Sequence, residues 1–222
     1  MKLDQLHNWN LDPKSAIALQ SDLATKLISD IPLALNSVET VAGVDVSVRR
    51  GLSRAAVVIM RYPQLEVVEI ACAERKTTFP YIPGLLAFRE GPVILEALGK
   101  LRSEPDAYIF DGMGQIHPRR MGIAAHLGLW LRRPSLGCGK SHYIGEYAAP
   151  AAAKGSSSAI RHRNEQIGVA LRTRTKVKPV YVSAGHLIDL ESAVRLTLSL
   201  IARYRLPEPI RAAHRAASLP CS

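Results

Sequence analysis

The sequence predicts an α/β fold, a mixed sheet that opens with three antiparallel strands and carries helices on both faces. Two observations predict it. Three Val- and Ile-rich runs follow one another with connections too short for a crossover helix, as in an antiparallel meander. After them, segments of helical period alternate with short apolar segments, the pattern of strands covered by helices. The length, 222 residues, fits one sizeable core, so a single domain over 1–222 is expected.

In chain order, Leu11 to Ile31 reads as a helix opened by Asp12-Pro13, with Ile17, Leu19, Leu23, Leu27 and Ile28 near helical spacing. The meander strands are Val38 to Val48, Ala55 to Arg61 and Leu65 to Lys76, separated by Arg49-Arg50-Gly51 and Tyr62-Pro63-Gln64. A Pro-rich loop, Phe79 to Gly84, leads into a helix over Leu85 to Arg102, in which Pro92 marks a helix start or a kink. Ala107 to Phe110 is a short buried strand, Arg120 to Leu131 a helix, and Ser135 to Cys138 a further strand. Ala148 to Ala159 is low in complexity and reads as a flexible surface loop. Gln166 to Arg174 and Val177 to Ser183 suggest a hairpin, and Asp189 to Tyr204 a closing helix.

Composition narrows the class. Hydrophobic residues make up 47% and charged residues 22%, a globular balance and not a disordered one. No apolar run reaches bilayer length, and the start MKLDQLHNWNLDPK lacks a signal peptide's pattern, so a cytoplasmic protein with no membrane partner is expected. Cys72, Cys138 and Cys221 are widely spaced without a CxxC pair and read as free thiols. The excess of 29 Lys and Arg over 19 Asp and Glu, net +10, points to an anionic partner, which charge alone does not identify.

Three acids stand in unusual places. Asp45 interrupts the apolar strand VAGVDVSV, Glu90 lies in FREGP at a helix start, and Asp111 ends the strand AYIFDG. Each has a bland reading: outward alternation, dipole complementation and turn chemistry respectively. Together, on neighbouring elements, they would repel unless a cation joined them, and hard oxygen ligands suit magnesium or manganese. A divalent ion held so can activate water and neutralise phosphodiester charge, which implies phosphoryl-transfer hydrolysis.

Lys140 follows a Gly-rich turn in PSLGCGKS, which is not a P-loop because Pro134 stands where the first Gly should be. It could hold a phosphate as a point charge or be a solvated lysine. His117, before Pro118-Arg119-Arg120, and His186, in SAGH, sit in turn-like contexts that favour binding roles, although turn histidines are more commonly structural. The segment Pro80-Tyr81-Ile82-Pro83 is a stiff aromatic loop, a candidate wedge for a base stack or a hydrophobic loop folded on the core. Lys154 to Lys178 holds seven Lys and Arg with Glu165 as its one acid, a candidate phosphate-tracking face or a solvated hairpin.

VAGVDVSV, FPYIPGLLAFREGP, FDGMGQIHPRRMGIAAHLG, PSLGCGKS, VSAGH and YRLPEP with a following His together resemble the endonuclease V family, in family order from about Val41 to His214. The resemblance implies an RNase H-like fold in which Asp45, Glu90 and Asp111 bind Mg2+, with Mn2+ able to substitute, and His214 occupies a further active-site position. It implies that Lys140 contacts the scissile phosphate, that His117 supports the site, and that Tyr81 is the wedge. Backbone around Gly84, Leu86, Gly112 and Gly122 would line the pocket for a flipped hypoxanthine. The implied reaction is cleavage of the second phosphodiester 3′ to deoxyinosine in damaged DNA, leaving 3′-hydroxyl and 5′-phosphate ends, by a monomer. Met113 departs from the polar residue or His common there in the family, and the Ala- and Ser-rich loop after Tyr147 also differs. The competing readings are an inosine-specific endoribonuclease with the same site, a binding module with a decayed site, and a basic structural or membrane-surface protein. The first would need a 2′-hydroxyl contact, the second the loss of an acid, and the third an amphipathic basic helix.

Overall fold

A computed structural model describes residues 5–221. Its sheet has eight strands in the order β3-β2-β1-β4-β5-β8-β7-β6. The meander is present as β1 (Thr40–Arg49), β2 (Leu52–Arg61) and β3 (Val67–Lys76), all antiparallel. β4 (Ala107–Phe110) adds to β1 in parallel, and β5 (Ser135–Gly139) adds to β4 in parallel. β8 (Val180–His186) and β7 (Glu165–Leu171) extend the far side antiparallel, and β6 (Ser157–His162) closes it.

Period-2 alternation sorts the side chains onto two faces. Ala42, Val44, Tyr108 and Phe110 face α2 (Leu86–Gly99) and α3 (Ile123–Leu131), which supply Val93, Ile94, Leu98, Ala124 and Leu127. Val41, Ile109, Leu136 and Val182 face α4 (Leu190–Ser199) and α5 (Glu208–Ala217), packing with Leu196 and Ile210. This is the α/β, RNase H-like mixed sheet with helices on both faces that the sequence predicts.

Gly43 lets α5 lie directly on β1. A Cβ there would sit 2.1 Å from the Pro209 carbonyl oxygen, which is backbone and has nowhere to go. Gly43→Ala should therefore push α5 outward at a cost of about 1–3 kcal/mol. Thermal unfolding should show a midpoint lower by several degrees; an unchanged midpoint would mean that α5 is loosely seated.

Several boundaries depart from the sequence reading. The first helix, α1, spans only Pro13–Ala24. Asp12 caps it by accepting from the backbone N of Lys14 and Ser15, but beyond it the chain is held in another way. The Ile28 carbonyl accepts from Leu187 N at 2.6 Å, the Ile31 carbonyl accepts from Asp189 N at 2.8 Å, and Pro32 disfavours helix at Ile31. α4 likewise stops at Ser199, short of Tyr204, and Asp189 is its cap.

The segment read as a flexible loop, 148–159, ends in β6 and is pinned: the Arg172 guanidinium donates to the carbonyls of Pro150, Ala151 and Val177. β6 and β7 turn through Arg163-Asn164, both at positive φ, as a two-residue hairpin of this twist requires. Thus Arg172 is a structural member of the basic stretch, while Lys154, Arg161, Arg163, Arg174, Lys176 and Lys178 are exposed. The free-thiol expectation fails for two cysteines. Cys72 on β3 and Cys221 beyond α5 are disulfide-bonded, with Cα atoms 5.7 Å apart, whereas Cys138 is free and buried. Their separation of 149 residues hides the pairing from a reading of spacing. Among the described residues, no helix is long and apolar enough to cross a membrane.

Candidate active site

Adjacent parallel strands bring two of the three acids side by side. Val44 on β1 pairs with Phe110 on β4, and Asp111 N, just past β4, donates to the Val44 carbonyl at 2.9 Å. Asp45 and Asp111 thus leave neighbouring strands together, both sheltered, at about 10% side-chain exposure each. His214, on the outer turn of α5, donates from Nδ1 to Asp45 Oδ2 at 2.7 Å. Donor atoms of Asp45, Asp111 and His214 all lie within 4.8 Å of one another, a spacing that one metal ion can span.

Glu90 reaches the same region from α2, on the other face of the sheet, and stands outside that three-residue group. Its link to them is electrostatic. Burial, with the negative charges of Asp45 and Asp111, pushes its carboxyl up to about 8. Burial and the Asp111 charge raise Asp45 as well, against the lowering effects of His214 and Lys140. Carboxylates that resist ionisation in each other's company are what a divalent cation would relieve, and two carboxylates with an imidazole suit such an ion. Lys140 Nζ pairs with Asp111, and its own carbonyl accepts from the Arg205 guanidinium at 3.3 Å.

Beside these acids lies a cavity of about 420 Å³, within the usual range for a small-ligand site. Of the residues singled out from sequence, Tyr81, Ile82, Pro83, Gly84, Leu86, Asp111, Gly112, His117, Gly122 and Lys140 line it. Pro80 does not, although it is exposed next to Tyr81. Tyr81 is 70% exposed at the cavity rim, far from a folded-in aromatic. The loop that carries it is fixed at both ends: Arg89 donates to the Phe79 carbonyl at 3.1 Å, and Gly84 is held by His117.

His117 is nearly fully buried, and its two nitrogens have separate tasks. Nδ1 accepts from Arg119 N at 3.2 Å and Met121 N at 3.3 Å, so the proton belongs on Nε2, which donates to the Gly84 carbonyl at 3.0 Å. Burial lowers its pKa to about 4, keeping the ring neutral. His186 proves structural: its Nδ1 accepts from Ile28 N at 3.2 Å and anchors the segment after α1.

Met113, Met121, Ser141, His142 and Tyr143 also line the cavity and were not singled out as lining it. The sequence signal for Met113 was its departure from the family pattern, and it packs tightly, with Cε 2.4 Å from where a Gly139 Cβ would stand. The other four gave no signal.

Comparison with known proteins bears on this arrangement. The family model described as Endonuclease V matches residues 21–215. A curated relative, Endonuclease V of Dehalococcoides mccartyi, is 47% identical over 98% of each chain. Among solved structures, Endonuclease V of Streptomyces avermitilis superposes with a TM-score of 0.91 at 39% identity, covering 95% of this chain and 93% of that one. Endonuclease V of Ciona intestinalis, in complex with a 23mer DNA containing an inosine followed by a ribo-adenosine, superposes with a TM-score of 0.81 at 28% identity, covering 94% and 97%.

Proposed function

This chain belongs to the endonuclease V family and is a nuclease, and from that premise we propose that it cleaves DNA at deoxyinosine, at the second phosphodiester 3′ to the lesion, in a magnesium-dependent reaction. The observation that carries the reading is the junction of two features: an acidic cluster that fits a divalent cation, opening into a cavity sized for a base.

Asp45, Asp111 and Glu90 would hold magnesium, for which manganese can substitute, with His214 beside them. When bound, that ion supplies Lewis-acid stabilisation of phosphate charge and a ready water nucleophile. The chain's own groups do the rest. His214, 60% exposed in its side chain and oriented by Asp45, is placed to exchange a proton with water at Nε2. Lys140 can leave Asp111 for a non-bridging phosphate oxygen, because a lysine ammonium is a mobile point charge. The products expected are a 3′-hydroxyl and a 5′-phosphate.

In the cavity, backbone around Gly84, Leu86, Gly112 and Gly122 would read the base. Hypoxanthine lacks the exocyclic amine of adenine and guanine, so fixed backbone donors and acceptors at close range discriminate without a charged side chain. Tyr81, exposed on its braced loop, would fill the space that the flipped base leaves. Tyr81→Ala should therefore raise KM for deoxyinosine DNA by about tenfold, the order of one lost stacking contact, while kcat changes little. A fall confined to kcat would place Tyr81 in the chemistry instead.

Inosine-containing RNA is the second reading, favoured by the ribo-adenosine beside the inosine in the Ciona intestinalis complex. The proposal itself is tested on two duplexes differing only in deoxyinosine or deoxyadenosine at one position, with magnesium and after chelation. Nicking restricted to the inosine duplex with magnesium supports it; equal nicking of both, or nicking after chelation, overturns it.

A further inference from the structure

We propose that Gln20 and Arg119 are positioning residues for lesion recognition, forming with His117 a brace that sets the Gly84 carbonyl at the mouth of the cavity. The inference rests on the base-reading role given to that cavity above.

Gly84 occupies the left-handed region, φ +83°, at the end of the wedge loop. Its carbonyl accepts twice: from His117 Nε2 at 3.0 Å and from Arg119 Nη2 at 3.0 Å. Arg119 is in turn held by Gln20 on α1, whose Oε1 accepts from Arg119 Nε at 2.8 Å. Gln20 is fully buried, and its Nε2 donates to the Met121 carbonyl at 3.1 Å, so both ends of its amide are satisfied. Met121 N donates to His117 Nδ1, which closes the circuit.

Both ends of the Gln20 amide and both nitrogens of the His117 ring have partners, and none of the ring's members appears among the acids or their hydrogen bonds. A buried glutamine on an amphipathic helix is out of place for packing alone, since leucine would fill the position without needing two partners. What the ring does is fix one peptide. With its oxygen drawn back toward His117 and Arg119, the Gly84 peptide plane is set, and the wedge loop and the floor at Met121–Gly122 are tied into one rigid unit through α1. The positive φ accounts for the glycine, and a Cβ there would also come within 2.8 Å of Arg119 Nη2 and displace that guanidinium.

Arg119→Ala, Gln20→Leu and Gln20→Glu are compared with the wild-type chain on deoxyinosine and deoxyadenosine duplexes, together with half-saturation by magnesium. Arg119→Ala should raise KM for the inosine duplex about tenfold, what one lost hydrogen bond to a buried carbonyl corresponds to, with kcat within about twofold and magnesium half-saturation unmoved. Gln20→Leu should act in the same direction and add little to Arg119→Ala in the double variant, because both act through one chain of contacts. Gln20→Glu keeps the acceptor for Arg119 and should retain most of the affinity. Arg119 is partly exposed, so its variant keeps the test available if Gln20→Leu fails to fold. Unchanged KM in Arg119→Ala, or a loss in kcat with a shifted magnesium requirement, would overturn the inference. A wild-type chain with no preference for inosine would instead overturn the base-reading role.

Discussion

Asp111→Ala is expected to reduce cleavage by three orders of magnitude or more while leaving the chain folded and able to bind DNA. Asp111 and Asp45 sit on adjacent strands and share with His214 a space that one cation can fill. Removing a carboxylate from such a group costs about 4–6 kcal/mol of transition-state stabilisation, which is roughly 10³–10⁴ in rate. Asp45→Ala should do the same, since it removes the partner of His214 as well. Stability should not fall in parallel. Each aspartate raises the free energy of charging its neighbours in the metal-free chain, so deleting one relieves repulsion. Cleavage assays and thermal melts on the same preparations check this; an Asp111→Ala enzyme of near-normal rate would contradict the role given to the acids.

A second large effect is expected in the pH dependence of stability without metal. Glu90 has its folded pKa pushed up to about 8 from an ordinary 4.5. A raised carboxyl favours the native state at low pH, and that contribution is lost as pH rises through the folded value. Between pH 6.5 and 8 the unfolded chain has already released this proton and the native chain has not, so stability should fall by at most about 2 kcal/mol, or roughly 4–8 °C in midpoint.

His117, His126, His7 and His186 do not interfere in this window. Their folded pKa values are lowered by burial, so their effect is confined to pH below 6.5, where stability falls with acid. Saturating magnesium should flatten or reverse the slope above pH 6.5, because a ligand carboxylate must give up its proton. Glu90→Gln should remove the slope without metal. A flat profile in the metal-free wild-type chain would mean that Glu90 ionises freely and is not part of the acidic group.

The strands that carry the acids were legible in the sequence because their signals are local. VAGVDVSV shows an acid inside an apolar strand, and AYIFDG shows a buried strand that ends in one. Short connections between Val- and Ile-rich runs were enough for the meander. What escaped is long-range or weakly patterned. α5 begins around two prolines and packs through Pro209, Ile210 and three alanines, Ala212, Ala213 and Ala217, a face with one large apolar side chain, and His214 was reached only through family resemblance. β6 opens with Ser157-Ser158-Ala159, residues that read as loop until β7 pairs with them. The overlong first helix arose because Leu27 and Ile28 continue the helical spacing, while the backbone there bonds to Leu187 and His186 instead. Gln20 and Arg119 lie 99 positions apart, and no spacing pattern announces their contact.

The central claim is that the acidic group and the cavity act as one lesion-directed nuclease site. It is tested most directly by mapping the cut, to the nucleotide, on matched end-labelled DNA and RNA strands that each hold one inosine, with magnesium and with chelator. The account predicts a magnesium-dependent nick at the second phosphodiester 3′ to inosine in DNA, with 3′-hydroxyl and 5′-phosphate ends. Binding without a cut on either strand, or cuts unrelated to the position of inosine, would contradict it, and a strong preference for the RNA strand would transfer the site to RNA.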